Sequence, residues 1–131
     1  MDLLRTTPIE LAVPGDSRYM RLARLVASGV ATTCGLPLEE VEDFRVAVDE
    51  VCATLIEAGG GQPVRLIFSL DDGRLVVTGS TVDADHKGPD EDRLALSRQI
   101  LDVIAETHRF SRSDGQATFV VVTRLRGAGV G

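Results

Sequence analysis

The stretch that most limits how this chain can fold covers residues 38–61 and has the pattern of one long amphipathic helix. Its apolar residues recur every three or four positions, the spacing of a single helical face, at Val41, Phe44, Val48, Val51, Cys52 and Leu55. Carboxylates crowd the first turns, where the positive end of the helix dipole favours them. Three glycines follow at 59–61, and glycine readily adopts the left-handed conformation that ends a helix. The sequence therefore predicts a central helix over residues 38–58.

The size and charge of the chain exclude several classes of protein. A chain of 131 residues is long enough for one core, so we expect a single domain over residues 1–131. The net charge of −6 argues against nucleic acid or a membrane surface as partner, because both require a basic face. No stretch approaches the roughly 20 apolar residues of a membrane span, and the N-terminus does not resemble a signal peptide. We expect a cytoplasmic protein.

The cysteines and histidines do not indicate a metal site. Cys34 and Cys52 are too few for a disulfide scaffold, and their spacing matches no zinc motif. We expect both to be small buried thiols, and a redox role for either stays open. His86 lies beside Asp83 and Asp85 in a polar stretch, where a solvated histidine is expected rather than a metal ligand. We therefore expect no metal site.

The remaining segments predict the other elements of the fold. The predicted elements are an edge strand at 9–13 between two prolines, a helix at 17–33, a hairpin of 64–70 with 75–78 that turns at Asp71-Asp72-Gly73, a helix at 91–106, a short strand near 108–111, a turn at Ser113-Asp114-Gly115 and a strand at 117–125. Residues 81–92 are polar and acidic, which predicts a mobile surface loop, and the tail at 127–131 should fray. This order predicts an α/β (α+β) two-layer sandwich, with a mixed, mostly antiparallel sheet and three helices on one face.

The predicted helix at 17–33 combines an apolar stripe with a row of arginines. The stripe expected to face the core consists of Tyr19, Leu22, Val26 and Val30, with Ala23 and Ala27 filling in. Arg18, Arg21 and Arg24 follow one another on the more polar side. They are either solvated side chains whose stems cover apolar surface, or a basic contact patch on an acidic protein. The sequence leaves both interpretations open.

The order of elements and the motif Val48-Asp49-Glu50 resemble a known family. The segment FRVAVDEVCATLI and the first helix GDSRYMRLARLV are similar to the RsbW/SpoIIAB-type anti-sigma factors, which have the GHKL (Bergerat) histidine-kinase-like ATPase fold. The nearest resemblance is to the actinobacterial, mycobacterial-type RsbW branch. It implies that Glu50 is the catalytic glutamate, and that Arg21 is the arginine with which family members contact their partners.

The nucleotide motifs that this resemblance implies are degenerate. The family places an Mg²⁺-binding Asn four residues after the Glu, and the position here is Thr54, whose hydroxyl has a shorter reach. The Asp-x-Gly-x-Gly adenine motif is missing, and the first acidic residue after the hairpin is Asp83. A glycine-rich phosphate lid is missing as well. We therefore expect no bound cofactor, with ATP and Mg²⁺ binding weak or undetectable. Glu50 would then be a relic, or a half-buried carboxylate held by Arg45 or by backbone donors.

Two functional hypotheses follow from the resemblance. The first is an anti-sigma factor that sequesters a stress-type sigma factor and is released by an anti-anti-sigma (STAS-type) protein, with Arg18, Arg21 and Arg24 on its partner-binding surface. Sigma factors carry basic faces, so an acidic sequestering protein is electrostatically suited to them. The alternative is an ATP-dependent serine kinase of the anti-anti-sigma protein, with Glu50 as its base. A module with the same fold and a different partner is a third option, and the family also suggests a homodimer.

Overall fold

The computed structural model describes residues 4, 6–83 and 88–124. Its elements are β1 (Ile9–Val13), a 3₁₀ turn (Ser17–Tyr19), α1 (Met20–Thr33), α2 (Leu38–Gly59), β2 (Val64–Asp71), β3 (Arg74–Val82), α3 (Glu91–Ile104), β4 (Thr107–Ser113) and β5 (Gln116–Arg124). Two predictions from the sequence, a solvated His86 and a frayed tail at 127–131, lie outside the described residues.

The five strands form one sheet in the order β1-β2-β3-β5-β4. The helices α2 and α3 pack against this sheet, and α1 packs against α2. The predicted two-layer α/β class is confirmed, and each of the four pairings among the described strands is antiparallel. β1 lies at an edge, as its flanking prolines predicted. Both tight hairpins place an Asp-Gly pair at positive φ, Asp72-Gly73 and Asp114-Gly115, which suits the twist of antiparallel strands.

The helix α2 lies over the middle of the sheet and contacts β2, β3 and β5. Its predicted apolar face is confirmed, since Phe44, Val48, Val51 and Leu55 are all buried. The close approach depends on Gly79 of β3, because a Cβ there would come within 2.6 Å of both Leu55 and Val51. Within the described residues no helix is both long and apolar enough to cross a membrane.

The helix α1 faces the core mainly with its small residues, so the stripe that the sequence predicted is confirmed only in part. Its buried residues are Ala23, Ala27, Val30 and Ala31, whereas Tyr19 and Leu22 are 37% and 44% exposed. Three alanines at steps of four form a low ridge that lets α1 approach α2 closely. The large side chains are consequently turned outward, so the prediction was wrong for Tyr19 and Leu22.

Candidate functional site

The residues that sequence analysis placed at a nucleotide site belong to two separate clusters. Glu50 and Thr54 lie one turn apart on the flank of α2 that faces α3, where Ser97 and Arg93 meet them. Asp83 follows the end of β3 and contacts the β4–β5 hairpin. Glu50 contacts Ser97, whereas Thr54, which comes later in α2, contacts Arg93, which comes earlier in α3. The two helices are therefore antiparallel.

Glu50 accepts a hydrogen bond from the side chain of Ser97. The Ser97 Oγ atom lies 2.6 Å from Glu50 Oε1, and Ser97 is only 1% exposed. From the sequence we expected Arg45 or backbone donors to hold this carboxylate. Arg45 instead binds Glu42, because five helical residues turn its side chain about 140° away from Glu50. The predicted half-burial of Glu50 is confirmed, and its observed partner is Ser97.

Thr54 is fully buried, and its hydroxyl is directed at an arginine. Its exposed fraction is 0%, and Arg93 Nη1 lies 3.5 Å from Thr54 Oγ1, at the long limit of a hydrogen bond. A Mg²⁺ ligand needs access to the ion, and a guanidinium at this distance repels a cation. Thr54 therefore presents no metal-binding oxygen in this arrangement.

Asp83 is buried and held by an arginine that sequence analysis did not single out. Its exposed fraction is 3%, its Oδ2 atom lies 2.6 Å from Arg112 Nε, and its backbone N–H donates to the Gly115 carbonyl. The guanidinium of Arg112 also covers Gly88, where a Cβ would come within 2.8 Å of it. The prediction that residues 81–92 form a surface loop is wrong at its start, because Thr81 and Val82 complete β3.

The N-terminus of α3 is occupied by the chain's own carboxylates. Asp90 Oδ1 accepts from the backbone N–H groups of Asp92 and Arg93 at 2.8 and 3.3 Å, and Glu91 and Asp92 add negative charge to the first turn. In turn, the Asp90 N–H donates to Glu57 Oε1 at 2.7 Å. Backbone amides at the start of a helix can bind phosphate, but here the Asp90 carboxylate already accepts hydrogen bonds from two of these amides.

Taken together, the described residues at these positions do not fit a metal-bound nucleotide. Thr54 is closed off beside a cation, Glu50 is bonded to Ser97, and Asp83 is paired with Arg112. Each is satisfied by a protein partner except at one point, the Oδ1 atom of Asp83, which is buried and has no hydrogen-bond partner among residues 4, 6–83 and 88–124.

The three arginines at the start of α1 have different surroundings. Arg18 binds Asp16 at 3.0 Å, and this contact holds the pKa of Asp16 below its usual value. Arg24 reaches across to α2 and lies 2.7 Å from Asp49 Oδ1. Arg21 forms no ion pair within the part of the chain that the structure describes. Of the three, it is therefore Arg21 whose charge is available to a partner.

Exposed apolar side chains adjoin Arg21 on the outer side of α1. Leu22 is 44% exposed and Leu25 is 68% exposed. With Arg18 and Arg21 they form what we call the α1 surface, which is apolar and basic. Sequence analysis missed its apolar part because it assigned Leu22 to the core. The alanine row at 23, 27 and 31 was the signal that could have identified the buried face.

The sequence matches known proteins over most of its length. A family profile described as "Histidine kinase-like ATPase domain" matches residues 13–99. Proteins named serine-protein kinase RsbW from Bacillus thuringiensis, Bacillus cereus and Bacillus anthracis are 28% identical over 76 residues, which is 56% of this chain and 48% of each relative. The chain thus spans about half the length of the curated relatives it matches, and the resemblance to RsbW-type proteins is confirmed. The chain belongs to the histidine kinase-like ATPase domain family.

Proposed function

We propose that this protein is an anti-sigma factor of the partner-switching type, which acts in the cytoplasm as a single domain. It binds and sequesters a stress-type sigma factor and is released by a STAS-type anti-anti-sigma protein. Both partners come from the resemblance to RsbW-type proteins. Its nucleotide binding is weak or lost, so its activity is binding rather than catalysis.

The observation that carries this proposal is the α1 surface. Leu22 and Leu25 are 44% and 68% exposed while alanines face the core, so much of their apolar surface is not used in the packing of the described residues. Exposed apolar residues beside a charge are typical of protein-binding surfaces. Arg21, unpaired within the described residues, can provide the charged contact that such surfaces use for specificity.

The loss of nucleotide binding is supported by the filling of the corresponding positions. Ser97 and Arg93 of α3 contact Glu50 and Thr54 directly, and Asp90 caps the start of that helix. A nucleotide would have to displace these contacts before it could bind. The cost of doing so would be subtracted from its affinity.

An ATP-dependent serine kinase of the anti-anti-sigma protein is the second candidate. It is favoured by the name of the relatives, serine-protein kinase, and by the presence of Glu50 at the position where the resemblance implies the catalytic glutamate. The two candidates differ in one product. A kinase incubated with Mg-ATP and the anti-anti-sigma protein yields a phosphoserine, whereas a binder yields none.

The proposed function is tested by binding of the purified chain to purified stress-type sigma factors. We expect a purified complex, with Arg21→Ala and Leu25→Asp each weakening it by about tenfold or more. The matched controls are Arg98→Ala, at an exposed position of α3, and Leu38→Asp, at a residue that is 77% exposed. Binding that resists both α1 variants contradicts the assignment of this surface, and no binding to any sigma factor contradicts the function.

A homodimer is part of the proposal. The sheet face opposite the helices carries half-buried Ile67, Val76, Val120 and Val122, and the edge strand β1 lies at the margin of this face. A second copy packed there would cover these apolar side chains. Light scattering should then give twice the chain mass of 14.0 kDa, and Val120→Lys should return it to the monomer mass. A monomer mass for the unmodified chain at high concentration contradicts the dimer.

A further inference from the structure

A cavity of about 280 Å³ lies where the start of α2, the end of α3 and the end of β5 meet. Its lining is formed by Glu40 and Asp43 of α2, by residues 103–106, and by Thr123 and Arg124 of β5. Helical spacing extends this cavity into a groove along the outer sides of α2 and α3. This cavity lies toward the start of α2, whereas Glu50 and Thr54 lie further along that helix. The groove is therefore not one of the clusters described above.

The walls of the groove are apolar and exposed. Val103 is 85% exposed and Leu96, two turns earlier on the same side of α3, is 57% exposed. Across from them lies Val46, which is 38% exposed. Its position follows from helical spacing, because it is three residues after Asp43 and four before Glu50, and both of those face α3. We call Val46, Leu96 and Val103, with Asp43, the α2–α3 groove.

The electrostatic surroundings of the groove are acidic. Asp43 makes no ion pair within the described residues, and the first turn of α2 carries Glu39 and Glu40. The nearby cation Arg124 is already bound by Glu106. The α2–α3 groove is therefore apolar along its walls and negative at one end, the opposite charge to the α1 surface.

We infer that the α2–α3 groove is a second docking site, whose occupant is a basic amphipathic helix of a partner protein. An amphipathic helix binds such a groove through apolar residues spaced three or four apart. Val46, Leu96 and Val103 provide contacts for that apolar face, and Asp43 provides a contact for a lysine or arginine beside it. An acidic helix would bring like charges together at Asp43, which disfavours it. This inference is independent of the anti-sigma proposal, because it rests on a different surface.

The test uses two synthetic helical peptides of about 14 residues, roughly four turns. One has leucines along one face and lysines on the other, and its matched control has glutamates in place of the lysines. Binding is followed on the full chain through the backbone amide signals of Val46, Val103 and Ile104. We expect the lysine peptide to shift these signals, the glutamate peptide to leave them unchanged, and added salt to weaken binding.

Three variants make this test specific. Val103→Asp and Asp43→Lys should each weaken binding of the lysine peptide by about tenfold. Both positions are surface-accessible, so folding should persist, and this is checked by thermal unfolding. Leu38→Asp is the control, because it adds the same charge at an exposed apolar residue outside the groove. The affinity of Leu38→Asp for the lysine peptide should match or exceed that of the unmodified chain.

Several results would overturn the inference. They are an absence of shifts at millimolar peptide, equal binding of the two peptides, and shifts at Leu22 and Leu25 instead of the groove. The inference would also be overturned if Val103→Asp and Asp43→Lys both bound the lysine peptide as tightly as the unmodified chain. If the groove signals change with protein concentration alone, a second copy of the chain covers the groove, and the proposed occupant is wrong.

Discussion

Ser97 Oγ lies 2.6 Å from Glu50 Oε1, and this hydrogen bond joins the buried side of α3 to α2. The residues that sequence analysis placed at a catalytic position are thus part of a helix–helix contact. One turn along, Arg93 approaches Thr54 in the same way. The two contacts explain how a chain of this family can keep its fold while Glu50 and Thr54, at positions where the resemblance implies nucleotide-binding residues, serve helix packing instead.

Replacing Ser97 by alanine should destabilise the fold. The change leaves the Glu50 carboxylate without its donor, and a hydrogen bond to a charged group contributes about 1.5–3 kcal/mol. Urea unfolding should show a loss in this range for Ser97→Ala. The control is Ser111→Ala at an exposed position of β4, which should change stability by less than about 0.5 kcal/mol. Equal stabilities of the two variants would contradict the role given to Ser97.

The two cysteines should differ in reactivity. Burial raises the pKa of Cys52 to about 12, and the negative charge of Asp49 adds to this effect. Its thiolate is therefore scarce at neutral pH, and alkylation should require unfolding. Cys34 is less buried and should be modified first. Mass spectrometry after brief alkylation of the native protein measures the extent of modification at each of the two cysteines. Similar rates at the two positions would contradict the burial of Cys52.

Acid should lower the stability of the fold by protonating the carboxylate of Glu106. The guanidinium groups of Arg124 and Arg74 hold the pKa of Glu106 below its ordinary value of 4.5. A carboxyl whose pKa is lower in the folded than in the unfolded state stabilises the fold above that ordinary value. It loses this contribution as the pH falls through the native pKa.

The corresponding measurement compares Glu106→Gln with the unmodified chain. Unfolding at pH 7 and at stepwise lower pH should show a difference in stability that shrinks as the solution becomes acid. The exposed Glu91→Gln is the matched control and should follow the unmodified chain. A difference that is constant with pH would rule out the proposed ionic contribution.

Gly79→Ala should destabilise the fold, although this substitution adds only one methyl group. The new Cβ would come within 2.6 Å of Leu55 and Val51, both fully buried. Overpacking of this kind costs about 1–3 kcal/mol. Gly29 of α1 has nothing within 4 Å of its Cβ position, so Gly29→Ala should stabilise its helix by about 0.5–1 kcal/mol. Effects of the same sign at both positions would contradict the close packing of α2 on the sheet.

The elements of the fold were predictable because their signals are local. The apolar spacing of α2 and the Asp-Gly turns each lie within a few residues, and the structure confirms them. The buried face of α1 was recognised only in part, because Leu22 was placed on it together with Ala23. Helix packing excludes Leu22 from that face, since only the alanine ridge allows α1 to lie close to α2.

The partners of the site residues could not be predicted from the sequence. Glu50 and Ser97 are 47 positions apart, and Asp83 and Arg112 are 29 apart. Each pair depends on the placement of whole elements, α3 against α2 in one case and the β4–β5 hairpin beside the end of β3 in the other. Nothing local to Ser97 or Arg112 marks it as the partner of a distant carboxylate.

The most direct test of the account is the melting temperature of the purified chain with and without Mg-ATP. A ligand at 100 times its dissociation constant adds about 2.7 kcal/mol of stability to the folded state. Because α3 fills the contacts of Glu50 and Thr54, we predict no measurable change in melting temperature at millimolar Mg-ATP. A clear, saturable rise in melting temperature would contradict the account and would favour the serine kinase.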